Sequence, residues 1–123
     1  MNKELSLHET QQILAQWLVQ VGLFDFQTIE QVIGKLSEEV QEAKIEALSE
    51  PMDKEKLALE LADIVWIVFN LATVAGIDVN LMMLSAMEKN FNRYNPYKAQ
   101  ELQKQGVTVF DSLKQLKSEY RQK

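Results

Sequence analysis

From Ile64 to Ile77 the chain carries no charge and a single amide, Asn70. This run is too short for a membrane span, which needs about 20 apolar residues. Extending it toward the N-terminus meets Asp63 and Glu60 at once. The run therefore predicts a helix buried on all sides rather than a span. A chain of 123 residues has difficulty surrounding such a helix alone. Self-association to a dimer or tetramer is expected.

The rest of the chain supplies helices around it. Glycine and proline are scarce, 4 and 2 residues, and Leu, Ala, Glu, Gln and Lys are abundant, which favours helix. Ser6 followed by Glu9 reads as a capping box opening a helix near Leu7–Val21, with Gly22 past its end. Leu23-Phe24-Asp25-Phe26 reads as an apolar connection that packs inward. Asp25 or Thr28 caps a second helix, which runs to about Ser49 and stops at Pro51. Asp53 caps a third, near Lys54–Ala75, with Gly76 behind it. Asp78 or Asn80 caps a fourth, near Leu81–Tyr94, closed by Asn95-Pro96. Beyond it come a short helix near Lys98–Lys104, a break at Gly106 and a last helix from Asp111. Only Val107–Phe110 alternates like a strand. The expectation is an all-α fold, a four-helix bundle in one domain over 1–123, with its core at about 6–94 and a C-terminal tail over 95–123.

Charge is unevenly spread. Residues 1–94 carry 15 acidic and 7 basic side chains, and residues 95–123 carry 3 and 6. Between Glu38 and Asp63 there are 9 acids and 3 bases. An acidic body is a poor ligand for a nucleic-acid backbone and a good one for hard divalent cations. No nucleic-acid partner and no membrane partner are expected. There is no cysteine and one histidine, His8. That excludes disulfides, thiolate zinc sites, cysteine nucleophiles and histidine-rich metal sites, including the Glu-x-x-His pairs of di-iron bundles. His8 reads as a surface residue. The opening MNKELSLHETQQ has no apolar signal-peptide core, and a cytoplasmic location is expected.

The carboxylates form two spaced pairs. On a helical wheel, the apolar stripe of the second helix is Ile29, Val32, Ile33, Leu36, Val40, Ala43 and Ala47. Glu39 and Glu46 lie about a quarter turn to one side of its centre, Glu42 farther round on that side, and Glu38 directly opposite. Glu39 and Glu42 are thus neighbours at i, i+3 beside the buried face. Glu60 and Asp63 repeat that spacing on the apolar third helix. Like charges on an exposed helix cost only about 0.2–0.5 kcal/mol, so the first pair alone could be a solvated acidic face. A carboxylate inside an apolar helix costs several kcal/mol unless it is paired or metal-bound. Lys56, one turn before Glu60, can serve at most one carboxylate well. Antiparallel helices could bring both pairs together. Two carboxylates about 5–6 Å apart repel by about 3 kcal/mol at an effective dielectric near 20, and a divalent cation removes that repulsion. Oxygen-only ligands select Mg²⁺ or Mn²⁺ over zinc. The plain alternative is two acidic helices whose carboxylates are satisfied by lysines and amides.

Glu38-Glu39-x-x-Glu42, followed on the next helix by Glu60-x-x-Asp63, resembles the EExxE…ExxD pattern of the MazG-like, all-α nucleotide pyrophosphohydrolases. The resemblance continues through Ala62-Asp63-Ile64-Val65-Trp66, Gly76-Ile77-Asp78 and Lys89-Asn90-Phe91-Asn92-Arg93, and covers roughly residues 28–94. It implies an α-helical dimer or tetramer that hydrolyses nucleoside triphosphates to the monophosphate and pyrophosphate with Mg²⁺. On that basis Glu39, Glu42, Glu60 and Asp63 would hold the metal. Glu38 would support the ligands or activate water, and Lys89, Asn90 and Arg93 would contact phosphate or sugar. A glutamate beside the metal can take the proton of an attacking water, which puts Glu38 and Glu39 forward as catalytic. No nucleophilic side chain is required, and no GxxxxGK[ST] phosphate loop is present.

Lys89 and Arg93, at i, i+4, lie opposite Leu84, Met87 and Phe91 on the wheel and read as a basic face. Asn70 sits two turns after Asp63 on the same face; it either orients a ligand or bonds a neighbouring helix. Trp17 and Trp66 either stack on a base or belong to the core. Two other readings stay open beside the hydrolase: a non-catalytic helical oligomer that binds a nucleotide or a protein, and a phosphoribosyl-ATP pyrophosphohydrolase.

Overall fold

The computed structural model describes residues 4–122. Six helices follow one another: α1 (Leu7–Gln20), α2 (Ile29–Ala47), α3 (Lys54–Val74), α4 (Val79–Arg93), α5 (Pro96–Lys104) and α6 (Val109–Arg121). There is no strand among the described residues. Thr108, inside the one segment that alternates, is instead the N-cap of α6 and accepts from the Asp111 N–H.

Short-range chemistry sets the helix starts. Ser6 and Glu9 form a reciprocal capping box at α1, and Thr28 with Gln31 forms another at α2. The cap of α2 is thus Thr28, not Asp25. The Asp53 side chain accepts from the N–H groups of Glu55 and Lys56 at α3. These bonds satisfy amides that the first helical turn leaves without partners. Gly22 and Gly76 follow α1 and α3 with φ of 79° and 74°, the left-handed region that non-glycine residues avoid.

The chain divides into two compact units, one up to Asn80 and one from Leu81 onward. In the first, α3 packs against both α1 and α2. Its core is Leu14 and Leu18 of α1, Val32 and Ala43 of α2, Ile67, Phe69 and Ala72 of α3, and Val79. Gln11 of α1 ties this unit together. Its amide nitrogen donates to Thr73 Oγ1 (3.2 Å) and to the Ile77 carbonyl (2.8 Å), and its Oε1 accepts from the Val79 N–H (2.8 Å). In the second unit α5 packs on α6 around Ala99, Ser112 and Leu116. Ser112 Oγ donates to the Val109 carbonyl at 2.7 Å and accepts from Gln103 Nε2 at 3.2 Å.

Helix α3 is not enclosed in the single chain, in line with the difficulty a chain of this length has in surrounding it: Leu59, Leu61 and Val65 are 68%, 50% and 54% exposed. The cause is that α1 and α2 cover only part of its circumference. By length and composition alone α3 could cross a membrane. The connection after α1 does not pack inward as a unit either; Leu23 is half-buried, but Phe26 is 78% exposed.

Candidate metal centre

Burial on α2 falls on Val32, Glu39 and Ala43. The buried face is therefore rotated from the centre of the apolar stripe toward the carboxylates, and Glu39 lies close to its middle. The rotation follows from α2 having one main neighbour in this unit, α3. Ile29, Ile33 and Val40, on the far side of the stripe, stay exposed.

That orientation brings carboxylates of two helices together. One oxygen each from Glu39, Glu42 and Glu60 lies within 4.8 Å of the others. Glu39 is buried, Glu60 half-buried and Glu42 exposed. Oε2 of Glu39 and Oε2 of Glu60 are both buried without a hydrogen-bond partner among the described residues. Unpartnered buried carboxylate oxygens are costly and rare. Burial pushes the Glu39 carboxyl above its ordinary value, and the charges of Glu42 and Asp63 push it further; Lys35 pulls the other way.

Asp63, the fourth member of the pattern, lies outside this close group and is exposed. It lines with Glu39 a cavity of about 310 Å³, whose other walls include Trp17, Leu23, Gln27, Lys35, Trp66 and Asn70. Trp17 and Trp66 meet edge to face there, ring centroids 5.5 Å apart at 67°. Both are partly exposed, so neither is a core residue of the single chain. Asn70 is buried and exchanges amide bonds with Gln27: Gln27 Nε2 donates to Oδ1 at 2.6 Å, and Asn70 Nδ2 donates back at 3.3 Å.

Two residues of this site were not singled out from the sequence. Lys35 Nζ sits 3.6 Å from Glu39 Oε1 and 3.5 Å from Glu38 Oε2. Its place one helical turn ahead of those acids was the available signal. Gln27 had no such signal, since its partner lies 43 positions later. Glu38 itself is turned outward, its side chain 68% exposed, as its position opposite the apolar stripe requires.

The remaining predicted ligands belong to the second unit. Lys89 and Asn90 are exposed on α4. Asn90 lines a cavity of about 340 Å³ with Met83, Ala86, Met87, Phe91 and Tyr94. Arg93 is half-buried, with Tyr94 and Tyr120 beside its guanidinium.

An all-helical chain with an acidic cluster between two helices, able to hold a divalent cation, is what the comparisons with known proteins meet. No curated protein and no solved structure matches the chain. A family model does: that of the MazG nucleotide pyrophosphohydrolase domain, over residues 27–97, which takes in α2, α3 and α4 whole. The chain belongs to the MazG nucleotide pyrophosphohydrolase family.

Proposed function

We propose that this protein is a nucleoside triphosphate pyrophosphohydrolase, converting a (d)NTP and water to the (d)NMP and pyrophosphate, and that it removes unwanted nucleotides from the cytoplasmic pool. Mg²⁺ is its working ion, with Mn²⁺ as a substitute. The observation that carries the reading is the trio Glu39, Glu42 and Glu60, with two buried carboxylate oxygens left unpartnered. An all-oxygen donor set suits a hard cation. Glu39, Glu42 and Glu60 would hold it, with Asp63 beside them. Bound there, the ion would neutralise polyphosphate charge and make a coordinated water more acidic.

The chain's own residues supply the rest. Glu39 and Glu38 are the candidates for accepting the proton of the attacking water. Of the two, Glu39 is the buried one and belongs to the acidic cluster itself. Glu38 is engaged with Lys35 at the surface. Trp17 and Trp66 offer ring faces and edges to a base in the cavity they line, and the Gln27–Asn70 amide pair offers donors and acceptors. Lys89, Asn90 and Arg93 contribute contacts to phosphate or sugar.

The uncovered side of α3 supports self-association. Apolar side chains gain about 25 cal/mol per Å² on leaving water, and Leu61 and Val65, at i, i+4 on one face, stand exposed. Lipid is a poorer cover than a second copy: Glu60 and Asp63 lie within the apolar window, and a charge at a bilayer centre costs about 2.5–3.5 kcal/mol even on the mildest scales.

Incubation with the four dNTPs, modified nucleotides and phosphoribosyl-ATP, each with Mg²⁺ and product identification, tests the reading. Release of pyrophosphate and NMP is expected. Orthophosphate with NDP, or no turnover of any nucleotide, would overturn it.

A further inference from the structure

Arg93 ends α4, and two tyrosines flank it. Its guanidinium carbon is 5.9 Å from the ring centroid of Tyr94 and 5.4 Å from that of Tyr120. Tyr94 is its neighbour in sequence. Tyr120 is not: it belongs to α6 and lies beyond the segment, 27–97, that the family model covers. Arg93 Nε is buried without a hydrogen-bond partner among the described residues. Asn92, Asn95, Lys98, Glu119 and Tyr120 line the same small recess.

A structural arginine is ordinarily fixed by a carboxylate. Here Glu119 lines the recess, yet no ion pair joins it to Arg93 among the described residues. The cation is instead held by ring faces, which attract it through their quadrupoles and leave its charge uncancelled. Lys98 adds a second positive charge at the recess. An arginine held in this way has already given up side-chain freedom, so an anion that binds it has less to order.

We infer that Tyr120 is a positioning residue for nucleotide binding: its ring holds the Arg93 guanidinium ready for a phosphate. The C-terminal α5–α6 hairpin thereby serves as a support for Arg93. This rests on the reading of Arg93 as a phosphate ligand given above.

The test compares Tyr120→Met, Tyr120→Phe and Arg93→Ala with the unaltered chain. Its probe is whichever of dATP, dCTP, dGTP and dTTP is hydrolysed fastest with Mg²⁺. Tyr120→Met should raise KM about three- to thirty-fold, the range of a partly desolvated cation–π contact, with kcat within about twofold; Tyr120→Phe should restore KM. An unchanged KM in a folded Tyr120→Met, with KM raised in Arg93→Ala, overturns the role of Tyr120 and leaves Arg93 as a ligand. An unchanged KM in Arg93→Ala overturns both. A second measurement needs no variant: the Nε–H proton of Arg93 should be displaced by ring currents in a ¹H–¹⁵N spectrum, and its appearance at the position of a free arginine refutes the contact.

Discussion

Lys35 Nζ lies 3.6 Å from Glu39 Oε1, one helical turn along α2, while Glu39 Oε2 stays buried and unpartnered. The lysine, itself shared with Glu38, thus compensates half of a buried carboxylate and leaves the other half for something else. It also competes with any cation that approaches. Lys35→Gln should therefore tighten Mg²⁺ binding in the absence of nucleotide, by about two- to fivefold, the scale of a largely exposed ion pair. Isothermal titration calorimetry at fixed ionic strength checks this, and weaker binding in the variant would contradict it.

Glu39→Gln separates the metal role from the packing role. It keeps the shape and removes the charge that burial, Glu42 and Asp63 disfavour. The metal-free variant should melt at a higher temperature than the unaltered chain. Pyrophosphate release should fall by more than about 100-fold, beyond the usual effect of losing a partner that only supports a metal ligand. A variant that melts higher yet turns over at full rate would remove Glu39 from the metal site.

The raised Glu39 carboxyl fixes the sign of the pH dependence. A carboxyl with a higher pKa folded than unfolded stabilises the fold below its unfolded value, and that contribution is lost as pH rises through the folded value. The metal-free protein should therefore lose stability from this group as pH climbs above the ordinary carboxylate range. A bound cation competes with the same proton. The increase in melting temperature on adding Mg²⁺ should then be larger at pH 8 than at pH 5. Equal increments at both values would contradict it.

The Asn70–Gln27 amide pair carries a stability prediction. Asn70→Ala leaves the Gln27 amide without its partner in a part-buried setting, which costs about 1–3 kcal/mol. For a domain of this size each kcal/mol lowers the melting temperature by about 4 °C. Differential scanning calorimetry should show a drop of that order.

Exposed apolar residues on α3 predict association. Val65→Glu, placed where Val65 is 54% exposed, should leave the single chain folded by circular dichroism while lowering the mass seen in sedimentation equilibrium. An unaltered chain that sediments as a monomer would refute self-association.

How far the sequence could be read follows from the range of the forces involved. Helix starts were legible because a cap and its partners lie within one turn: Ser6 with Glu9, and Asp53 with Lys56. The pairing of Glu39 with Glu42 was legible because i, i+3 spacing fixes side chains on a helix face; that Glu60 of α3 joins them while Asp63 stays outside was not. The rotation of α2 toward Glu39 was not, since it depends on which neighbour covers the helix and how much of it. That the single chain leaves α3 partly exposed was legible from the length of the chain, but which of its residues stay exposed was not, since apolarity reports what a helix needs and not what its neighbours cover. Nor was the company of Arg93 legible. Wheel geometry on α4 sees Lys89 and Leu84, but not a tyrosine that a later helix delivers.

Gln11 lies outside the segment that the family model covers, yet its one side chain serves both a carbonyl and an amide at the junction of α3 and α4. A chain cut back to that segment would keep every acidic residue of the cluster and lose this clasp. It would also strip Trp17 from the cavity wall and leave Trp66 without its edge-to-face partner. Helix α1 thus holds the fold together beside the acidic cluster without contributing a carboxylate to it.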